Sequence, residues 1–112
     1  MIYYEYISQF IAEFFCKFEN NNKPYRDNKI SETSWIRTFD PIATHSDDYI
    51  WHRDEKDRIV TIIDGEGWKF QFDNEMPIRI NRNDVIKIPN QIYHRILVGT
   101  TPLKIKIEEV DQ

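Results

Sequence analysis

At 112 residues the chain suits one domain, and a domain of that size buries roughly 65% of the surface its unfolded form exposes, enough for one real core. With 40% hydrophobic and 14% aromatic residues it does not have the composition of a disordered chain, and 30% charged residues supply a soluble surface. The formal net charge is -4 with both signs interspersed, so no basic field exists to hold a nucleic-acid backbone, and nucleic acid is not an expected partner.

Tyr3, Ile7, Phe10, Phe14 and Phe18 recur at helical spacing, with Ile11 and Phe15 widening the stripe, so residues 2–19 read as an amphipathic helix. Asn20, Asn21 and Asn22 end it. This divides the chain into an N-terminal helix over 1–22, packed on a β-domain over 23–112. The helix covers one face or edge of the sheet, or makes a dimer contact with the same stripe; a homodimer is expected. Glu5, Glu13 and Lys17 interrupt the apolar run and no basic segment precedes it, so neither a signal peptide nor a membrane helix is expected, and no membrane partner. The single cysteine, Cys16, cannot form an internal disulfide and sits among phenylalanines as a buried, inert thiol. A reducing, cytoplasmic location follows as the expectation.

Lys23 to Thr33 is a polar connector containing Pro24, with a short strand near its end. Ser34 to Phe39 reads as a strand, and Asp40-Pro41 as its turn. Ile42 to His45 and Tyr49 to His52 flank a turn at Ser46-Asp47-Asp48. The β-branched run Arg58 to Ile63 ends at Asp64-Gly65-Glu66-Gly67, where glycines permit the positive φ of a hairpin turn. Trp68, Phe70 and Phe72 alternate with Lys69 and Gln71, a strand with one buried face. Met76 to Ile80 and Val85 to Ile88 are short strands around Asn81 to Asp84, and Ile92 to Val98 follows a turn at Pro89. In the last strand Leu103, Ile105 and Ile107 point one way while Lys104, Lys106 and Glu108 point the other. Many short, evenly spaced strands predict an all-β sandwich or barrel, with a small jelly roll as the natural choice. A ligand site belongs in its mouth.

Two stretches carry the polar side chains that can do chemistry. If residues 50–54 are extended, the period of two puts His52 and Asp54 on one face and Trp51 and Arg53 on the other. In the second, His94 shares its face with Ile92, Ile96 and Val98 and points inward, while Tyr93 and Arg95 point out. Arg58 shares a face with Val60 and Ile62, so it is also predicted inward. Asp57 has the opposite parity, and a bulge at the strand start would turn it in.

These stretches resemble the two motifs of the cupin family. His52 matches the first histidine of the His-X-His element, Gly65 the glycine that closes the first motif, Pro89 the proline of the second motif and His94 its late histidine. Asp54 stands where the second histidine is expected and Arg58 where the glutamate is. Asn83 and Gln91 replace glycines, and Val98 replaces an asparagine. The resemblance covers residues 35 to 110. It implies a cupin-like jelly roll in which His52, Asp54, Arg58 and His94 meet inside the barrel mouth.

Several readings of that cluster follow. In one, His52, Asp54 and His94, with Asp57 as a further candidate, hold a divalent iron, nickel or manganese ion, the ligand mix of a facial triad with open positions. Similar cupins use such a metal for dioxygenase or isomerase chemistry. Arg58, always protonated, cannot be a ligand itself. In a second, no metal is present: a histidine and its neighbouring aspartate form a general base, as in similar metal-free sugar epimerases, and Arg58 binds an anionic substrate group. In a third, the pocket binds or sequesters a small anionic or sugar-like ligand without turning it over. Trp51 and Tyr93, with Trp68, would then help shape it and bind the ligand. The bland alternative is an ion-pair network of His52, Asp54, Asp57 and Arg58 at a strand end. All but the last make this a small cupin acting on, or binding, a small polar, anionic molecule, and the residues leave enzyme and binder both open. His45 matches no ligand position. The glycines at 65 and 67 lack the helix and further glycine of a phosphate loop, and no serine or cysteine sits in a nucleophile motif.

Overall fold

The computed structural model describes residues 25–42 and 51–110. The expected N-terminal helix, Cys16, His45 and the turn at Ser46 to Asp48 lie outside the described residues. Every element among the described residues is a strand: β1 (Tyr25–Lys29), β2 (Ser34–Phe39), β3 (Asp57–Asp64), β4 (Lys69–Phe72), β5 (Ile78–Arg79), β6 (Val85–Ile88), β7 (His94–Leu97) and β8 (Leu103–Val110). They form a five-stranded sheet in the order β1-β2-β8-β3-β6 and a three-stranded sheet in the order β5-β4-β7. All pairings are antiparallel.

Alternation explains which way each strand faces. In β8, Leu103, Ile105 and Ile107 are buried and Lys104 is exposed. Val60 lies opposite Ile107, and Ile62 opposite Ile105, so β3 and β8 build one apolar stripe at the centre of the larger sheet. Trp35 and Phe39 of β2 continue it outward, opposite Ile107 and Leu103. The smaller sheet answers with Phe70, and Trp68 from just before β4 fills the gap: its ring centre lies 5.9 Å from that of Phe39, and none of it is exposed.

Three features differ from the sequence expectation. Asp64 to Gly67 does not close a hairpin, because β3 and β4 belong to different sheets. It is a corner. Gly67 takes φ 81°, and the corner is fastened to the loop before β8: Glu66 N–H donates to Thr101 Oγ1 at 2.9 Å and Trp68 Nε1–H to Thr101 O at 2.6 Å. Gly99 is required here because a Cβ would collide with Glu66 O and Trp68. Second, the connector's strand comes early, at Tyr25–Lys29, and its end is the turn into β2, where Ile30 and Ser31 both donate to Ser34 O. Third, only Ile78 and Arg79 of the expected Met76 to Ile80 strand pair, opposite Phe70 and Lys69. Met76 is 82% exposed, and Lys69 and Arg79, both exposed, meet as like charges at the sheet edge.

Candidate metal and ligand site

His52 and His94 face each other as an isolated antiparallel bridge, with His52 N–H donating to His94 O at 3.1 Å and His94 N–H to His52 O at 2.9 Å. Direct opposition puts both imidazoles on one face, and their ring centres are 4.3 Å apart at 65°. Two residues on, Asp54 shares that face by alternation. Its carbonyl accepts Gln91 N–H at 2.8 Å, which locks the segment against the turn before β7. One ligand-type atom from each of His52, Asp54 and His94 lies within 4.8 Å of the others.

The environments within this group differ. His52 is exposed, whereas His94 is 4% exposed and stacks on Phe70 with ring centres 5.6 Å apart. His94 Nδ1 lies 2.9 Å from Ile92 O. A carbonyl only accepts, so Nδ1 carries the hydrogen and the neutral ring keeps its lone pair on Nε2. That nitrogen faces Asp54 Oδ2 at 3.4 Å. Oδ2 is buried and has no hydrogen-bond partner among the described residues. Burial pushes the His94 pKa below its usual value; the Ile92 carbonyl and Asp54 oppose that shift, and the nearby Arg58 charge adds to it.

Arg58 organises the wall behind Asp54. Nη1 lies 3.3 Å from Asp54 Oδ1, Nη2 lies 3.3 Å from Glu109 Oε2, and Cζ lies 5.4 Å from the centre of the Trp35 ring. Glu109 was not singled out in the sequence, although a signal existed. Continuing the inward alternation of Leu103, Ile105 and Ile107 by one step reaches it, and its register partner is Arg58. Trp35 escaped notice in the same way.

Other candidates sit elsewhere. Asp57 is not in the group; its Oδ1 accepts Asn90 N–H at 2.7 Å and ties β3 to the Pro89 turn. Trp51 and Tyr93 alternate with the imidazoles and so occupy the other face of these segments. There Arg95 Cζ lies 4.7 Å from the Trp51 ring centre and Arg53 Cζ 5.5 Å from that of Tyr93. Ile92, expected inward, is 42% exposed, because it belongs to the turn rather than to β7. A separate open cleft of about 340 Å³ lies at the other end of β3, between the corner at Gly65 to Gly67 and Arg79 to Arg82; no histidine lines it.

No protein-family profile and no curated protein matches the sequence. Solved structures do match the fold. A cupin-2 domain containing protein from Shewanella frigidimarina aligns with TM-score 0.57 at 17% identity, over 87% of this chain and 92% of that one. A cupin superfamily protein from Desulfitobacterium hafniense aligns with TM-score 0.52 at 20% identity, over 78% and 76%. The fold is that of the cupins. A chain from the structures of the DMSP lyases RdDddP and RnDddQII also aligns, with TM-score 0.56 at 12% identity, over 70% of this chain; the present chain spans 37% of that lyase chain. Asn83 and Gln91, which stand where the motifs have glycine, both take left-handed backbone, with φ 73° and 63°. Left-handed backbone costs a non-glycine residue roughly 1 kcal/mol, less for asparagine. No helix among the described residues is long and apolar enough to cross a membrane.

Proposed function

We propose that His52, Asp54 and His94 hold one divalent transition-metal ion, and that the barrel uses this site to bind and act on a small polar, anionic molecule. The observation that carries this reading is the approach of His94 Nε2 to Asp54 Oδ2 at 3.4 Å, two lone-pair atoms of which Oδ2 is buried and has no hydrogen-bond partner among the described residues. Two such atoms repel unless a cation lies between them. A proton on Nε2 would serve, but burial opposes the imidazolium form. A metal ion satisfies both atoms and takes in His52. Two imidazoles and a carboxylate suit iron, nickel or manganese and leave positions open. When bound, such an ion supplies Lewis acidity to an oxygen of the ligand. Arg58 holds Asp54 by Oδ1, which leaves Oδ2 for the ion and fixes its direction. Proteins named as DMSP lyases share this fold, in keeping with chemistry on a small molecule.

A second reading, a ligand-binding site without metal, is favoured by one contact: Arg58 already offsets the charge of Asp54. Metal analysis of protein purified without chelator separates the two. We expect about one equivalent, lost in His94→Ala. Absence of metal from the parent protein, with no thermal stabilisation by added iron, nickel or manganese, selects the metal-free site instead.

A further inference from the structure

The open cleft of about 340 Å³ at the far end of β3 takes no part in the site around His52. Its volume falls within the range of roughly 300–1,000 Å³ that small-molecule sites occupy. The chain pins both of its walls. On the corner side Thr100 N–H donates to Glu66 O at 2.9 Å, and on the facing side Ile80 N–H donates to Trp68 O at 3.1 Å. Arg82 reaches from the second wall to the first, where its Nη2 and Gly65 N–H both meet Asp64 Oδ1, at 2.9 and 3.0 Å. Its guanidinium therefore stands beside the corner in contact with solvent, the side chain being 67% exposed. Arg79 lines the same cleft and lies directly opposite Lys69 on β4. Both are exposed, and neither side chain has an ion pair or a hydrogen bond among the described residues. Like charges in register cost free energy, and this pair stands in a chain whose net charge is -4. The N–H groups of Gly65 and Glu66 are taken by Asp64 and Thr101, whereas that of Gly67, also at the cleft, makes no hydrogen bond among the described residues. A braced hollow with exposed cationic donors on one wall and a spare backbone donor on the other suits an anion.

We propose that this cleft binds a small phosphate monoester that carries hydroxyl groups, with Arg79, Arg82 and Gly67 N–H on the phosphate and Glu66 on a hydroxyl. This second site does not depend on the metal reading. Charge selects the group. Asp64 offsets Arg82, which leaves the charges of Arg79 and Lys69 for the ligand. A phosphate monoester is close to a dianion at neutral pH and cancels both, whereas a monocarboxylate leaves one over. Guanidinium groups also match phosphate oxygens through paired N–H donors. Glu66 is the one carboxylate that lines the cleft. Its charge opposes a bare phosphate but accepts from a hydroxyl, so it favours an ester of a polyol over the inorganic ion. The corner works differently from a phosphate loop: a strand, β4, follows it, and the arginines supply the positive charge.

The test titrates the full chain with glycerol phosphate and follows backbone amides by NMR. The chain has only three glycines, Gly65, Gly67 and Gly99, all at or beside this corner, so their amide resonances are few and report on the cleft. Glycerol phosphate should move the Gly67 amide, with inorganic phosphate binding less tightly and glycerol having no effect. Arg79→Gln should weaken glycerol phosphate binding about tenfold by calorimetry. Without ligand the same variant should keep or raise the thermal midpoint, because it relieves the opposition to Lys69. Glu66→Gln should remove the preference for the ester by raising the affinity for inorganic phosphate. A Gly67 amide that stays still at millimolar glycerol phosphate overturns the proposal and leaves the Lys69–Arg79 pair as protection of a sheet edge. Equal affinity in Arg79→Gln overturns it as well, and so do shifts confined to the amides around His52 and His94, which would put the phosphate at the other end of the barrel. Inorganic phosphate binding as tightly as the ester, unchanged in Glu66→Gln, overturns the role of the hydroxyl and the choice of a monoester.

Discussion

On the outward face of the segments that carry His52 and His94, Arg95 lies over Trp51 and gives its Nε–H to Gln71 Oε1 at 2.8 Å, while Arg53 lies over Tyr93. On the inward face, Asp54 Oδ2 and Arg58 Nε are buried and unmatched among the described residues, and His94 Nε2 lies 3.4 Å from Asp54 Oδ2. The same two segments thus present one face completed by the chain's own groups and one face on which the described residues leave polar atoms unmatched. Water tolerates loose ends on the outer face. Inside, each loose end costs free energy, so a set of them around two imidazoles persists where something other than the chain completes it.

The comparison can be broken most sharply at His94. His94→Ala should abolish stoichiometric metal while leaving the outward ladder in place, read by metal analysis and by the thermal midpoint; metal retained in full would mean that the inward face is not where it binds. Glu109→Gln is the next test. It removes the charge that steadies Arg58 Nη2, so Asp54 loses its fixed direction and metal affinity should fall about tenfold by calorimetry, with the fold intact. Unchanged affinity would reduce Glu109 to a surface partner.

A third test uses pH on metal-free protein. Because burial lowers the His94 pKa below its usual 6.5, the folded state favours the neutral ring. The unfolded chain takes up the proton first as pH falls. The contribution of His94 to stability is therefore complete above about pH 6.5 and is lost as pH drops through the lower folded-state value. Urea midpoints should decline over that window and decline less in His94→Gln; identical profiles would show that His94 is not buried as the neutral ring. The smallest effect belongs to the outward face. Arg95→Ala should cost no more than about 1 kcal/mol and leave metal affinity untouched. A large loss of metal there would erase the distinction between the faces.

Much of the scaffold could be read from local pattern. The bounds of Ser34–Phe39 and Val85–Ile88 follow from short apolar runs ended by turn residues, and the inward row of β8 from strict alternation. Alternation also set His52 beside Asp54, and these lie near His94 as the spacing of the motifs implies. What was not legible depends on which strand neighbours which. Nothing local distinguishes a glycine hairpin from a glycine corner, so the step from β3 to β4 between sheets was missed. Glu109 and Arg58 are far apart in the chain and meet only because β3 pairs with β8 in this register. Trp35 joins them through β2, a third strand. A wall made of three strands has no signature in any single one.

The short edge at β5 carries a consequence for how copies of the protein meet. Its two paired residues offer little free backbone for a newcomer, and the opposed Lys69 and Arg79 surround that backbone with repelling charge. A growing aggregate extends by templating on open, uncharged ladders, and this margin is a poor template. Copies that join through sheet margins are directed to others, and crowding alone is not enough to zip the chain into fibres along this side.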